Sequence, residues 1–434
     1  VLIYERTKEE LALGKDTRQA MSEGYRNAFS AIFDSNFTSI ITGIILYVFG
    51  TGPIRGFATT LIIGIICSFF TAVYLTRLVF ENRMNKGKWL NLTFTTGISR
   101  NLMTNTHIGF MNFYKKTFSF VGVIILVAIV SFAVRGLSRS IDFTGGRNYV
   151  IAFERPVEPE QIRGIIANAF PGTTTSALAL GTDHKTIRIS TNYKIESNSP
   201  TVDDEAETIL YKALKKAGFV SQPNVESFKN PDIREGGSII SSTKVGPSVA
   251  KDITHGAILS VVLALFAIFI YILIRFRNMA FSIGSTIALA VDTIIVLGVY
   301  SLCWGWMPFS LEIDQTFIGA ILTVIGYSIN DKVVVFDRIR ENMHLHQKQD
   351  FKTLFNDSIN QTLTRTINTS TSTLIVLLCI FFLGGESIRS FSFAMSLGVI
   401  VGTLSSIFVA APIAFLTLGK QKGKRRASEE VVKA

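Results

Sequence analysis

The residues most able to do chemistry in this sequence are charged side chains inside long apolar runs. Asp331 follows Asn330 near the end of one run, and Arg365 lies at the start of the next. A carboxylate inside a membrane is costly to ionise and marks a functional candidate by default. Nearby positive charge favours its ionised form and burial favours its protonated form, so such an acid can take up and release a proton. These residues therefore predict ion coupling.

Other polar residues follow helical spacing. Ser30, Asp34 and Thr38 are four residues apart and fall on one stripe of a helix. Arg365 and Asn368 share a stripe on a later helix. We predict that Asp34 and Asn368 also belong to the ion-coupling site.

Each of these positions has a structural alternative. Asp34 could cap a helix at the membrane surface, and an Asp331–Arg365 pair could simply fix the register of a bundle. Asp292, inside another apolar run, is a further ion-coupling candidate, but it could equally be a packed polar residue with a Ser or Thr partner. Lys332 is expected to extend along its helix to the membrane interface.

The elements that must position these residues are membrane-spanning helices. The chain has 434 residues, 48% of them hydrophobic, and a mean hydropathy of +0.38. A helical span needs about 20 apolar residues, and unpaired backbone is not tolerated in lipid. Eight apolar runs meet this need, at 32–50, 57–80, 118–135, 254–275, 279–303, 314–336, 364–384 and 388–418.

The net charge of +11 reflects topology rather than nucleic-acid binding. Following the spans in order places all the basic clusters on one side, which is then cytoplasmic by the positive-inside rule. The clusters lie at 83–88, 115–116, 275–277, 338–340 and 420–426. The three cysteines lie in apolar runs without metal-ligand spacing, so we predict no metal site.

Composition divides the chain into six segments. They are a partial first membrane half at 1–80, a cytoplasmic linker at 81–117, a span at 118–135, an extracytoplasmic domain at 136–250, a five-helix bundle at 251–419 and a basic cytoplasmic tail at 420–434. In the linker, the pattern at 105–116 predicts an amphipathic helix that lies at the membrane interface. The extracytoplasmic domain has the order strand–helix–strand–strand–helix–strand, which predicts a ferredoxin-like α+β fold.

The sequence contains an internal repeat. Residues 1–10 match 333–342 position by position, and 50–55 resemble 384–389. Both copies enter from the same side, so this is a parallel duplication, with a functional site expected between the halves. We therefore predict two parallel pseudo-repeats, with Asp331, Arg365 and Asp34 at their interface.

Seven motifs resemble one family. Those at 141–146, 245–247, 325–331, 334–342 and 365–370 resemble SecF, and those at 23–36 and 50–57 resemble the C-terminal part of SecD. By these motifs the chain is identified as a member of the SecD/SecF family, in the resistance-nodulation-division superfamily. It resembles about the last third of SecD fused to all of SecF.

The resemblance implies an accessory of the Sec translocon that uses a proton gradient, or a sodium gradient, to promote protein export. The implied location is the bacterial cytoplasmic (inner) membrane, with both chain ends cytoplasmic. The implied partners are translocon channel subunits and accessory membrane proteins, preproteins and lipids, with neither nucleic acid nor a cofactor. Asp331 matches the family's coupling acid and Arg365 its coupling arginine. Because the acid of the first half is expected just before Val1, we expect a longer protein.

These assignments predict a mechanism. Deprotonated Asp331 pairs with Arg365, and protonation releases the pair and lets the half-bundles shift. A hinge at Gly246 and Pro247 passes the movement to the extracytoplasmic domain. The residues expected to contact the substrate are Asp142, Gly145, Gly146 and Arg147.

Two other functions stay open. One is export of a small molecule or lipid by a member of the same superfamily. The other is a structural subunit that stabilises the translocon without ion coupling. The sequence shows no catalytic Ser/His/Asp set, metal cluster or nucleotide loop, so it does not predict an enzyme.

Overall fold

A computed structural model describes residues 2–50, 53–92, 94, 106–197, 199–233, 236–307 and 309–419. Within these ranges, eight helices are long and apolar enough to cross a membrane. The predicted polytopic helical fold is thus confirmed. The basic tail predicted at 420–434 lies outside the described residues.

The first part of the chain contributes two spans, followed by a third after the linker. The helices are α1 (Leu2–Ala12), α2 (Thr17–Phe49), α3 (Pro53–Phe70), α4 (Thr76–Asn85) and α5 (Tyr114–Val134). A π-helical turn, Thr71–Leu75, joins α3 to α4 in one continuous span. The side chain of Asp16 begins α2 by accepting a hydrogen bond from the backbone of Gln19.

The predicted interfacial helix at 105–116 is wrong for the described residues 106–113. A single 3₁₀ turn, Phe110–Asn112, precedes α5. Two asparagines of a later helix fix this segment: Asn356 accepts from the backbone of Met111 at 2.8 Å, and Asn360 pairs with that of Ile108. These tertiary hydrogen bonds replace the helical ones.

A small α+β domain interrupts the membrane helices. Its elements are α6 (Ile141–Thr144), β1 (Gly146–Ala152), α7 (Pro159–Ala169), β2 (Thr175–Ala179), β3 (Thr186–Thr191), α8 (Pro200–Lys216), α9 (Val225–Lys229) and β4 (Ser238–Val245). The strands form one antiparallel sheet in the order β2-β3-β1-β4. This order, with α7 and α8 as crossovers, is the predicted ferredoxin-like arrangement.

The remaining helices complete the bundle. They are α10 (Pro247–Phe276), α11 (Met279–Cys303), α12 (Gln315–Leu345), α13 (Phe351–Leu383) and α14 (Glu386–Ser405). After α14, a π-helical turn, Ser406–Ala410, continues the same span. In α12, 78% of the apolar window is buried, against 11% in α13. The helix that carries Asp331 is therefore the central one.

The two halves repeat each other in structure. Helix α13 begins 334 residues after α2 and has the same length of 33 residues. Each ends at a glycine, Gly50 or Gly384, where an added Cβ would lie 2.3 Å from a carbonyl oxygen of the preceding helix. A π-helical turn follows each glycine at a similar interval. By this register, Asp34 corresponds to Asn368.

The α+β domain is attached to one end of the bundle, which we call the domain side; the opposite end is the tail side. The backbone N–H of Ser140 donates to the carbonyl of Ile313 at 3.0 Å, and the backbone N–H of Ile313 donates to the carbonyl of Ser138 at 2.7 Å. The backbone of Ala179 donates to the Glu386 carboxylate at 3.0 Å. The start of α12 and the start of α14 are therefore both joined to the domain.

Candidate functional site

Asp331 is buried between three helices. It is 3% exposed, and its carboxylate on α12 accepts from Thr403 on α14 at 3.1 Å and from Ser370 on α13 at 3.4 Å. The two hydroxyls also bond to each other at 2.6 Å. The acid thus has polar partners without a direct cationic partner among the described residues.

Arg365 does not form the predicted pair with Asp331 in this structure. Its Nε and Nη2 atoms are buried, and neither has a hydrogen-bond partner among the described residues. The side chain lines a cavity of about 80 Å³ on the tail side, together with Asp34 and Asp337. Buried N–H groups without acceptors are unfavourable, so this arrangement leaves Arg365 able to take a new partner.

Asp34 is paired with α10 rather than with Asp331 or Arg365. Tyr271 donates to Asp34 Oδ1 at 2.7 Å, and Arg275 donates to Oδ2 at 2.7 Å. Arg275 also reaches Ser30 Oγ at 2.9 Å. Asp34 is 4% and Thr38 0% exposed, whereas Ser30 is exposed. Asp34 therefore faces the bundle instead of capping a helix at the surface.

Sequence reasoning missed this partner because it treated Arg275 as a topology signal. The interaction joins α2 of the first half to α10 of the second, across 241 residues of sequence. Two sequence features could have indicated it: an arginine at the end of a span and an acid at the start of another one on the same side.

Asp292 and Lys332 form an ion pair inside the second half. Lys332 Nζ lies 2.9 Å from Asp292 Oδ2, and both side chains are fully buried. The expectation that Lys332 extends to the interface is therefore wrong, because its side chain points into the bundle. Asp292 does have the predicted serine partner, Ser328, at 2.7 Å, with the ammonium group in addition.

The two asparagines of the prediction are less involved. Asn330 Oδ1 is buried without a partner among the described residues. Asn368 is half-buried, and its carbonyl accepts from Ser372 at 2.7 Å. Neither residue bonds to Asp331 or Arg365 within the described chain.

The residues predicted to contact substrate lie at the base of the α+β domain. Arg147 is 1% exposed; it donates to the Tyr193 carbonyl at 2.5 Å and to the Asp203 carboxylate. Gly145 and Gly146 are buried, and a Cβ on Gly146 would lie 2.6 Å from Ile141. These three residues are buried within the domain, so a substrate cannot reach them in this structure.

Asp142 lies where the domain meets the bundle. Its carboxylate accepts a hydrogen bond from the backbone N–H of Gln315 at the start of α12. Asp314 is the N-cap of that helix. Gly246 and Pro247 connect β4 directly to α10, with Gly246 as its N-cap. Any hinge at these two residues stays a prediction.

The Asp142 carboxyl should make stability depend on pH. Burial, and then the nearby Asp314 carboxylate, raise the pKa of Asp142. An acid whose pKa is raised by folding contributes stability that is lost as pH rises through the folded pKa. Asp142→Asn should therefore raise Tm by roughly 1 to 2 °C at pH 7, and the gain should vanish once acid protonates the native residue.

Thermal unfolding at pH 7 and in acid measures this difference. Asp232→Asn, at an exposed acid of the same domain, is the control. A stabilisation that is equal at both pH values would contradict the assignment.

Comparison with known proteins decides the family. Over 325 residues the chain is 40% identical to the protein translocase subunit SecF of Rhodothermus marinus, covering 75% of this chain and 98% of that protein. The chain belongs to the SecD/SecF family. The model of the SecD/SecF C-terminal region of protein export membrane proteins matches residues 227–420, and the SecD/SecF GG motif matches 130–157. Residues 1–79 match the MMPL family.

Solved structures agree with this SecD/SecF assignment. The crystal structure of SecDF from Thermus thermophilus, a translocon-associated membrane protein, superposes with a TM-score of 0.77 at 31% identity, over 97% of this chain and 52% of that one. A SecDF structure in a super-membrane-facing form gives 0.70 at 31% identity, over 100% and 53%. The chain therefore spans about half the length of these SecDF relatives. This SecD/SecF chain is a multi-pass protein of the inner membrane.

Proposed function

We propose that this chain is part of an accessory of the Sec translocon, and that it couples ion movement at Asp331 to protein export. The observation that carries the proposal is a carboxylate buried at the centre of the bundle, beside hydroxyl groups and near an unpaired arginine. The relatives of this chain are named protein translocase subunits, which favours export of protein over export of a small molecule.

The coupling step uses the two charged residues in turn. Protonated Asp331 is neutral and keeps its hydroxyl partners, Ser370 and Thr403, as in the arrangement described above. Ionised Asp331 attracts the free guanidinium of Arg365, which draws α13 toward α12. Each proton that crosses 100 mV supplies about 2.3 kcal/mol, so repeated cycles are needed to move a polypeptide. The coupling ion is a proton, with sodium as the alternative.

The α+β domain receives the movement through its attachments to the bundle. The start of α12 bonds to Asp142 and to the segment around Ser140, while Gly246 and Pro247 connect the sheet to α10. In this proposal the domain side is extracytoplasmic and both chain ends are cytoplasmic. The domain contacts the emerging preprotein there, and the bundle contacts the translocon channel and lipids.

Substitution of the two coupling residues in the full-length protein tests the proposal. Asp331→Asn and Arg365→Lys should each reduce gradient-driven export and proton flux in reconstituted vesicles to background. Asn cannot ionise, and Lys replaces a forked, planar cation with a point charge. Glu341→Gln, at an exposed acid near the tail-side end of α12, is the matched control.

A purely structural subunit is the second candidate. It is favoured by the hydrogen bonds through which Asp331 joins α13 and α14 to α12. A structural role predicts that Asp331→Asn leaves export and vesicle proton flux at their wild-type levels, with no flux that depends on Asp331, because an amide can accept the same two bonds. Normal export and normal proton flux in both variants would contradict the coupling proposal.

A further inference from the structure

An ion pair without access to solvent lies beside the proposed coupling site. Lys332 and Asp292 both have 0% side-chain exposure, on membrane-spanning helices α12 and α11. Ionisable residues inside a membrane are rare and are functional candidates by default. The coupling step above uses neither residue.

Three side chains surround the Lys332 Nζ atom. Besides Asp292, its Nζ donates to Ser328 Oγ at 2.5 Å and to Ser405 Oγ at 3.0 Å. An ammonium group has three N–H donors, so these three partners account for all of them. The Ser328 hydroxyl in turn donates to Asp292. A buried charge is tolerated when it is paired and hydrogen-bonded in this way.

The same part of α14 contacts both neighbouring charges of α12. Thr403 bonds to Asp331 and Ser405 bonds to Lys332. Successive residues of an α-helix point about 100° apart, so α12 presents the acid and the base to different sides. Gly402 permits this close packing, because a Cβ there would lie 2.5 Å from Ser328 Oγ.

We propose that the Asp292–Lys332 pair positions Asp331 for ion coupling and supplies a fixed positive charge beside it. Rotation of α12 away from Thr403 would separate two fully buried charges, which is strongly unfavourable in a membrane interior. Helices α11, α12 and α14 therefore move as one body. Access to Asp331 then changes on the side of α13 and α2, where Arg365 lines its cavity. The inference rests on the function proposed above.

The charged groups around this part of the bundle are few. Lys332 and Arg365 both act electrostatically on Asp331. The nearby charged groups on other elements are Asp292 on α11, Asp34 on α2, Arg275 on α10, and Glu5, Arg6 and Glu9 on α1. Those on α12 itself are Asp337 and Arg338. Since Lys332 is the direct sequence neighbour of Asp331, its removal should have a strong effect on proton uptake by that acid.

A neutral replacement of the whole pair tests the inference. The double variant Asp292→Asn/Lys332→Met in the full-length protein should fold, because neutral replacement of a buried ion pair is tolerated far better than loss of one partner. The pH of half-maximal proton uptake in proteoliposomes should rise by about half a unit. Loss of the neighbouring Lys332 charge favours the protonated acid, and the simultaneous loss of the Asp292 charge offsets part of this effect. Lys332→Met alone should lower the yield of folded protein.

Two further variants make the result decisive. Lys116→Met removes a lysine from the tail-side end of α5 and should leave the pH midpoint unchanged. Asp292→Asn/Lys332→Gln repeats the test with a pair that can still form hydrogen bonds. A wild-type midpoint in a folded double variant, or failure of both double variants to fold, overturns the inference. If Asp331→Asn keeps its flux, the proposed function fails instead, whatever the midpoint.

Discussion

Arg275→Gln should loosen the contact between the two membrane halves and lower stability by about 2 kcal/mol. Asp34 would keep Tyr271 but lose its counter-charge, and breaking a buried pair leaves an uncompensated charge that costs about 3–5 kcal/mol. We expect the lower value because the Arg275 side chain is 21% exposed. The change should also reduce export, since α2 and α10 would no longer move together.

Thermal unfolding in detergent and export in vesicles measure the two effects. Arg277→Gln is the matched control, because it removes an exposed positive charge two residues further on, at the C-cap of α10. The double variant Asp34→Asn/Arg275→Gln should recover most of the stability, as no buried charge is then left alone. Equal stability of Arg275→Gln and Arg277→Gln would show that the link between halves contributes nothing.

Arg147→Met should destabilise the α+β domain by about 2–4 kcal/mol. Arg147 is buried under the sheet and joins β1 to α8 through Asp203 and to the turn after β3 through the Tyr193 carbonyl. Methionine fills part of the volume but donates no hydrogen bond, so the partly buried Tyr193 carbonyl loses this partner, at about 1–3 kcal/mol. The ion pair to Asp203 adds less, because Asp203 is 42% exposed.

Limited proteolysis of the reconstituted protein reports this change, since a less stable domain opens more often. Arg163→Met provides the comparison: Arg163 makes only an exposed bridge to Glu160 at 2.7 Å, worth about 0–1 kcal/mol. We expect cleavage within 136–250 to accelerate strongly for the first variant and hardly at all for the second. Similar rates for both would mean that burial of Arg147 contributes little.

The elements of this protein could be predicted from sequence because their signals are local. Eight apolar runs predicted the eight spans. The order of strands and helices predicted the ferredoxin-like domain. Position-by-position similarity gave the duplication, which α2 and α13 repeat at equal length. The linker before α5 was predicted wrongly because its conformation depends on hydrogen bonds from Asn356 and Asn360, about 245 to 252 residues away.

The pairing of charges was decided by tertiary structure alone. The sequence identified Asp331, Arg365, Asp34 and Asp292 as candidates, because an ionisable residue inside an apolar run can be recognised from residue type and hydropathy. Which charge meets which depends on how each helix is rotated about its axis and on the depth at which it packs. Asp34 therefore bonds to Arg275, and Asp292 bonds to Lys332. Asp331 keeps two hydroxyl partners, while Nε and Nη2 of Arg365 have no partner in the described part of the chain.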